Sequence, residues 1–211
     1  MRIRVSRGVW VLLAGGVVFE AVATLRAGET AGNLWRDLRP WLTVAAAVVL
    51  HELGHIIAAW GSGVKIRGLR LDLFGARMEL EGLLSYGQEF FVAAGGPLIN
   101  LICVVGLFPL VKNYGGEAIT LFWGASAVLG GVNLLPVGTL DGGRMLRSGA
   151  AWLWGDRVAV GLLRGTTLFF LGILWLLAVY GLIRAGQMLS LFVFSLCLLL
   201  RSIGSSRDIL P

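Results

Sequence analysis

The chain has 211 residues, of which 57% are hydrophobic and only 14% charged, against about 25% charged in a soluble domain. That balance excludes a water-exposed globule, whose surface would need more polar residues, and makes the lipid bilayer the expected solvent. The net charge of +6 does not point to nucleic acid, because the basic residues are dispersed between apolar segments, where membrane topology places them.

The length fits a single domain over residues 1–211, with the informative motifs between about 40 and 145. The expected fold is an all-α membrane protein, a polytopic bundle of about six transmembrane helices. The opening Arg2, Arg4 and Arg7 and the apolar run after them resemble a signal peptide, but no small-residue cleavage site follows, so residues 8–25 are read as a retained first span. Further apolar segments cover about 41–60, 90–111, 118–140, 165–183 and 185–200, most of them near the roughly 20 residues a crossing needs. Only Arg184 separates the last two, so five spans or a re-entrant element is the alternative. With six spans, 13 Lys and Arg fall on one side and 5 on the other. The positive-inside rule then puts the protein in the cell membrane with both termini cytoplasmic. Cys103 and Cys197 lie in apolar runs and read as small buried hydrophobes.

Between spans two and three, residues 64–82 alternate apolar and polar, with a phase slip at Gly68 and a turn at Phe74–Gly75. This pattern predicts a short β-hairpin with a bulge at the glycine. A hairpin has outer edges to which an extended peptide can add as a strand, which makes Ile66, Leu69 and Leu71 candidate substrate-binding residues. Residues 144–164, with Trp152, Trp154, Arg157 and Arg164, read as an amphipathic segment at the membrane interface.

The chemistry lies in the second apolar segment, His51-Glu52-Leu53-Gly54-His55. On a helix, residues four apart share a face, so both imidazoles can address one metal ion, while Glu52 projects about 100° away and can act as general base on a water. The chain has only two histidines, and random placement sets such a pair four apart in about 1% of cases. Ionisable groups inside a span are costly and persist mainly where they function. Catalytic zinc takes three protein ligands and keeps one position open. The carboxylates near a span are chiefly Glu20, Glu117 and Asp141. Asp141 stands out because it closes the run Asn133-Leu134-Leu135-Pro136-Val137-Gly138-Thr139-Leu140-Asp141-Gly142-Gly143, where Pro136 interrupts a helix. Irregular backbone at membrane depth is tolerated only where it lines a protein-enclosed or watery cavity. The six-span topology also puts the histidine pair and Asp141 toward the same, cytoplasmic, side.

Three elements in order, His51-Glu52-x-x-His55, Gly95-Gly96-Pro97-Leu98-Ile99-Asn100 and Asn133-x-x-Pro136-x-x-x-x-Asp141-Gly142, resemble the site-2 protease family of intramembrane zinc metalloproteases. The short layout looks most like the bacterial group that processes a sporulation sigma-factor precursor. The resemblance implies one zinc ion per chain, held by His51, His55 and Asp141, with Glu52 as base, and cleavage of a membrane protein or membrane-associated peptide in or near a transmembrane segment. A regulatory membrane partner would fit the same family. Asn133, an amide beside the proline break, is a candidate for substrate or oxyanion contact. Two other readings stand beside this one. A metal transporter has no use for a base next to its first ligand, and the intact Glu52 argues against an inactive scaffold.

Overall fold

A computed structural model describes residues 2–5, 31–72, 75–185 and 196. The proposed first span at 8–25, Phe74 of the expected turn with Leu73 before it, and the proposed last span at 185–200, apart from Ala185 and Leu196, lie outside the described residues. The elements in order are strand β1 (Arg2–Val5), helix α1 (Ala31–Gly61), strands β2 (Ile66–Asp72) and β3 (Gly75–Leu80), and helices α2 (Tyr86–Tyr114), α3 (Glu117–Asn133), α4 (Asp141–Trp154) and α5 (Asp156–Ala185). They form two compact units, one of residues 1–84 with 95–130, the other of 85–94 with 131–211. Among the described residues, three helical stretches are long and apolar enough to cross a membrane: Leu38–Gly61, Tyr86–Tyr114 and Asp156–Gly181.

In the first unit, α1 carries the histidine motif and ends in a defined stop. Gly63 takes φ +70°, its N–H donates to the Trp60 carbonyl at 3.0 Å, and the Val64 N–H donates to the Ala59 carbonyl at 2.9 Å. This Schellman arrangement needs a residue that enters the left-handed region without a Cβ penalty, and it pairs Val64 with Ala59 as its apolar contact; both are buried. The chain therefore leaves the motif helix in a fixed direction and enters β2 two residues later.

β2 pairs antiparallel with β3 in the register Leu69↔Met78 and Leu71↔Ala76, and the register shifts between Ile66 and Gly68. The hairpin and its bulge thus stand where the alternation and the phase slip put them, with Asp72 opposite Gly75. One expectation fails. β1 pairs parallel with β2, Arg2 opposite Gly68 through Val5 opposite Leu71, so the sheet has three strands in the order β1-β2-β3. β2 is the central strand, and Leu69 and Leu71 lie where both of its edges are paired. Backbone addition there is blocked, and among the described residues the edges of the sheet are the outer sides of β3 and β1.

Helices α1 and α2 cross at glycine. A Cβ on Gly54 would strike the Gly95 carbonyl oxygen, and one on Gly95 would strike the Gly54 carbonyl oxygen and come within 2.7 Å of the Ala58 Cβ. Two apolar helices gain no hydrophobic drive from meeting inside lipid, so small residues that admit close backbone approach hold them together. Further along, the Trp123 indole N–H on α3 donates to the Val104 carbonyl of α2 at 2.8 Å.

In the second unit, α2 begins with a capping box. The Gln88 N–H donates to Ser85 Oγ at 3.2 Å and the Ser85 N–H donates to Gln88 Oε1 at 3.0 Å, which satisfies two of the helix's orphan donors. The Tyr86 hydroxyl donates to Asp156 Oδ2 at 2.8 Å, and Arg147 pairs with Glu89 at 3.4 Å. Helices α4 and α5 turn on Gly155, at φ +83°, and close around Ala150, Ala151 and Ala159. The stretch read as one interfacial segment is thus two helices, broken at that glycine. The apolar segment expected over 118–140 is also shorter: α3 is a 17-residue helix ending at Asn133. The residues after it form a loop around Pro136 whose Val137 and Leu140 pack on Leu171 of α5.

Candidate metal centre

The motif spacing does what helix geometry requires. His51 and His55 are both buried, at 4% and 5% exposure, and their rings stand edge to face with centroids 4.9 Å apart. The two Nε2 atoms lie 3.3 Å from each other. That distance fits a hydrogen bond between one protonated and one unprotonated ring. It also fits two ligands of one ion, because nitrogens at about 2.0–2.1 Å from a tetrahedral zinc lie roughly 3.3–3.4 Å apart.

Gly96 decides what can occupy the space between the rings. A Cβ built on it would collide with His55 Nε2 and lie 2.7 Å from both His51 Nε2 and His51 Cε1. The backbone of α2 is therefore one wall of the pocket, and only glycine leaves the nitrogens accessible. The Gly96 N–H is also directed at His55 Nδ1 at 3.3 Å. Of the paired glycines, Gly95 packs α2 on α1, while Gly96 lies against the imidazoles. No local signal separates the two, because the distinction depends on how α2 crosses α1. Glu52 follows His51 on the helix and is half-buried.

Asp141 is the first residue of α4, its carboxylate side chain is 14% exposed, and Arg144 lies 3.9 Å away one turn on. The glycines after it are required by packing. A Cβ on Gly142 would strike the Leu134 carbonyl and one on Gly143 the Val137 carbonyl, so the helix start is pressed onto the Pro136 loop. The Gly138 N–H donates to Thr167 Oγ1 of α5 at 2.9 Å, which ties the same loop down. Asn133 is the last residue of α3. Of the strand candidates, Ile66 begins β2 opposite Leu80, beyond the β1 pairing, while Leu69 and Leu71 lie within it.

The chain thus has a helical membrane architecture with a buried two-histidine seat on one helix and a glycine wall on the next. Over its whole length the fold matches the site-2 protease from Methanocaldococcus jannaschii, with a TM-score of 0.67 at 22% identity, covering 100% of this chain and 94% of that one. In sequence it is 32% identical over 113 residues to zinc metalloprotease MJ0392 of Methanocaldococcus jannaschii, covering 51% of this chain and 33% of that protein. It is 31% identical over 122 residues to stage IV sporulation protein FB of Bacillus subtilis, covering 54% of this chain and 41% of that protein. No family model matches the chain. It spans about a third of the length of the first curated relatives it matches. In fold and in the sequence of its matched half, the chain is similar to the site-2 protease group of zinc metalloproteases.

Proposed function

We propose that the protein is an intramembrane zinc metallopeptidase that hydrolyses a peptide bond in or near a transmembrane segment of another protein. The 3.3 Å separation of the two Nε2 atoms, in a pocket that a single methyl group on Gly96 would fill, carries this reading. His51, His55 and Asp141 are the proposed ligands, each offering one atom, two imidazole nitrogens and a carboxylate oxygen. A zinc ion held there would polarise the scissile carbonyl and lower the pKa of a bound water toward about 7.

Glu52 performs the proton transfers. Its carboxylate takes a proton from the attacking water as the water oxygen bonds to the carbonyl carbon. It then delivers that proton to the departing nitrogen as the C–N bond breaks. Glu52→Gln keeps the ligands and removes the base, so bound zinc should stay at the wild-type level while cleavage of a co-expressed membrane substrate falls by about 10²–10⁴-fold. Wild-type cleavage by this variant overturns the mechanism.

The substrate is a membrane protein or membrane-associated peptide held extended, with strand addition now assigned to the outer edge of β3 rather than to β2. Asn133 is kept as a candidate contact to the substrate carbonyl. The parallel β1–β2 pairing supports the finer topology of about six spans. Residues 2–5 and 66–72, as neighbouring strands, would share one membrane face, which supports an even number of crossings between them. α1 supplies one crossing and residues 8–25 the proposed other. The excess of basic residues supports a cytoplasmic assignment for that face and for the opening of the site.

A further inference from the structure

Asn100 is fully buried on α2, and neither Oδ1 nor Nδ2 has a hydrogen-bond partner among the described residues. An amide in an apolar helix normally bonds across to a neighbouring helix, but the residue α3 sets against it is Gly130. A Cβ at Gly130 would lie 3.1 Å from the Asn100 Cβ and 3.9 Å from Nδ2, so α3 is close enough to confine the side chain yet supplies no group to bond it. Ser126, one turn earlier on the same face of α3, is also fully buried with an unpartnered hydroxyl. The amide is thus held without a partner.

Its position says what that partner is. Asn100 follows Gly96 by four residues, so the two share one face of α2 about 6 Å apart along the axis. Gly96 is the point at which that face meets the two imidazoles. Helix side chains lean toward the amino terminus, the direction in which Gly96 lies from Asn100. Resting on the proposed peptidase reading, we propose that the Asn100 Nδ2–H donates a hydrogen bond to the scissile carbonyl oxygen. The contact strengthens as the water oxygen adds to the carbonyl carbon and the C=O electron pair moves onto that oxygen. It lapses when the C–N bond breaks and the carbonyl re-forms. Asn100 exchanges no proton; Glu52 carries the proton from water to the leaving nitrogen.

The test compares wild type, Asn100→Leu and the smaller Asn100→Ala in detergent-solubilised full chain. Four properties are measured: zinc content, Tm, kcat and KM on a transmembrane peptide, and the affinity of a phosphinate peptide, which imitates the tetrahedral carbon. We expect wild-type zinc, a Tm equal to or above wild type for Asn100→Leu, and kcat lowered about 100- to 1,000-fold, as for loss of one oxyanion donor. KM should change little, and phosphinate affinity should fall by a similar factor. A lowered Tm with unchanged kcat in whichever variant folds means that the amide only braces α2 on α3, and overturns the proposal. Unchanged kcat and phosphinate affinity at raised Tm overturn it as well. If wild type itself shows no zinc-dependent cleavage, the peptidase reading has failed, and the phosphinate comparison, made without turnover, still judges Asn100: equal affinity for wild type and both variants overturns its role.

Discussion

At the residue scale, one methyl group separates a usable seat from a blocked one. Gly96→Ala places a Cβ among the two Nε2 atoms, and α2 cannot retreat because the Gly54–Gly95 contact fixes its distance from α1. Zinc bound after purification should drop to background by elemental analysis, with the helical circular dichroism preserved. Zinc at the wild-type level would mean that the rings move aside and the wall is soft. Asp141→Asn exchanges a carboxylate for a neutral amide, a poorer ligand, and should weaken zinc binding by at least about tenfold in a chelator competition. Equal competition curves would remove Asp141 from the ligand set. The histidine pair was legible in the sequence because its geometry is local: four residues of helix suffice to bring two rings to one point. The role of Gly96 and the isolation of Asn100 were not, since both depend on which residue a second helix presents.

At the element scale, the stop of α1 and the crossing of α1 with α2 set where the seat lies relative to the sheet. Gly54→Leu forces the two backbones apart and should cost about 3 kcal/mol or more, at or beyond the upper end of ordinary overpacking. Gly61 is the control: a Cβ there meets nothing within 4 Å, so Gly61→Ala should change stability by no more than about 1 kcal/mol. Thermal unfolding in detergent compares the two, and similar losses would show that the glycine contact is incidental. The hairpin was readable because alternation, slip and turn signal all lie within twenty residues of sequence. β1 was not: its four residues, Arg-Ile-Arg-Val, read equally well as charges flanking a span, and their partner strand lies far along the chain. α3 was overextended because hydropathy stays high through residue 140 while backbone hydrogen bonding fails at Pro136, so composition and helix diverge there.

At the scale of the whole molecule, the sheet fixes sidedness. Single cysteines introduced at Arg4 and Glu79, in a chain carrying Cys103→Ala and Cys197→Ala, should react with an impermeant thiol reagent from the same side of sealed vesicles. Labelling from opposite sides would mean that β1 does not pair with β2 in the membrane. The pairing also has a consequence for biosynthesis. Arg2 meets Gly68, 66 positions later (68 − 2), and closing a loop of that length costs about 4 kcal/mol of chain entropy. Residues 2–5 are made before α1, yet they have no strand to join until about residue 71 has followed. By then α1, with both histidines, has already been made. The three-stranded sheet therefore cannot close before the helix that carries both histidines has been made, whereas Asp141 follows the sheet in the order of synthesis.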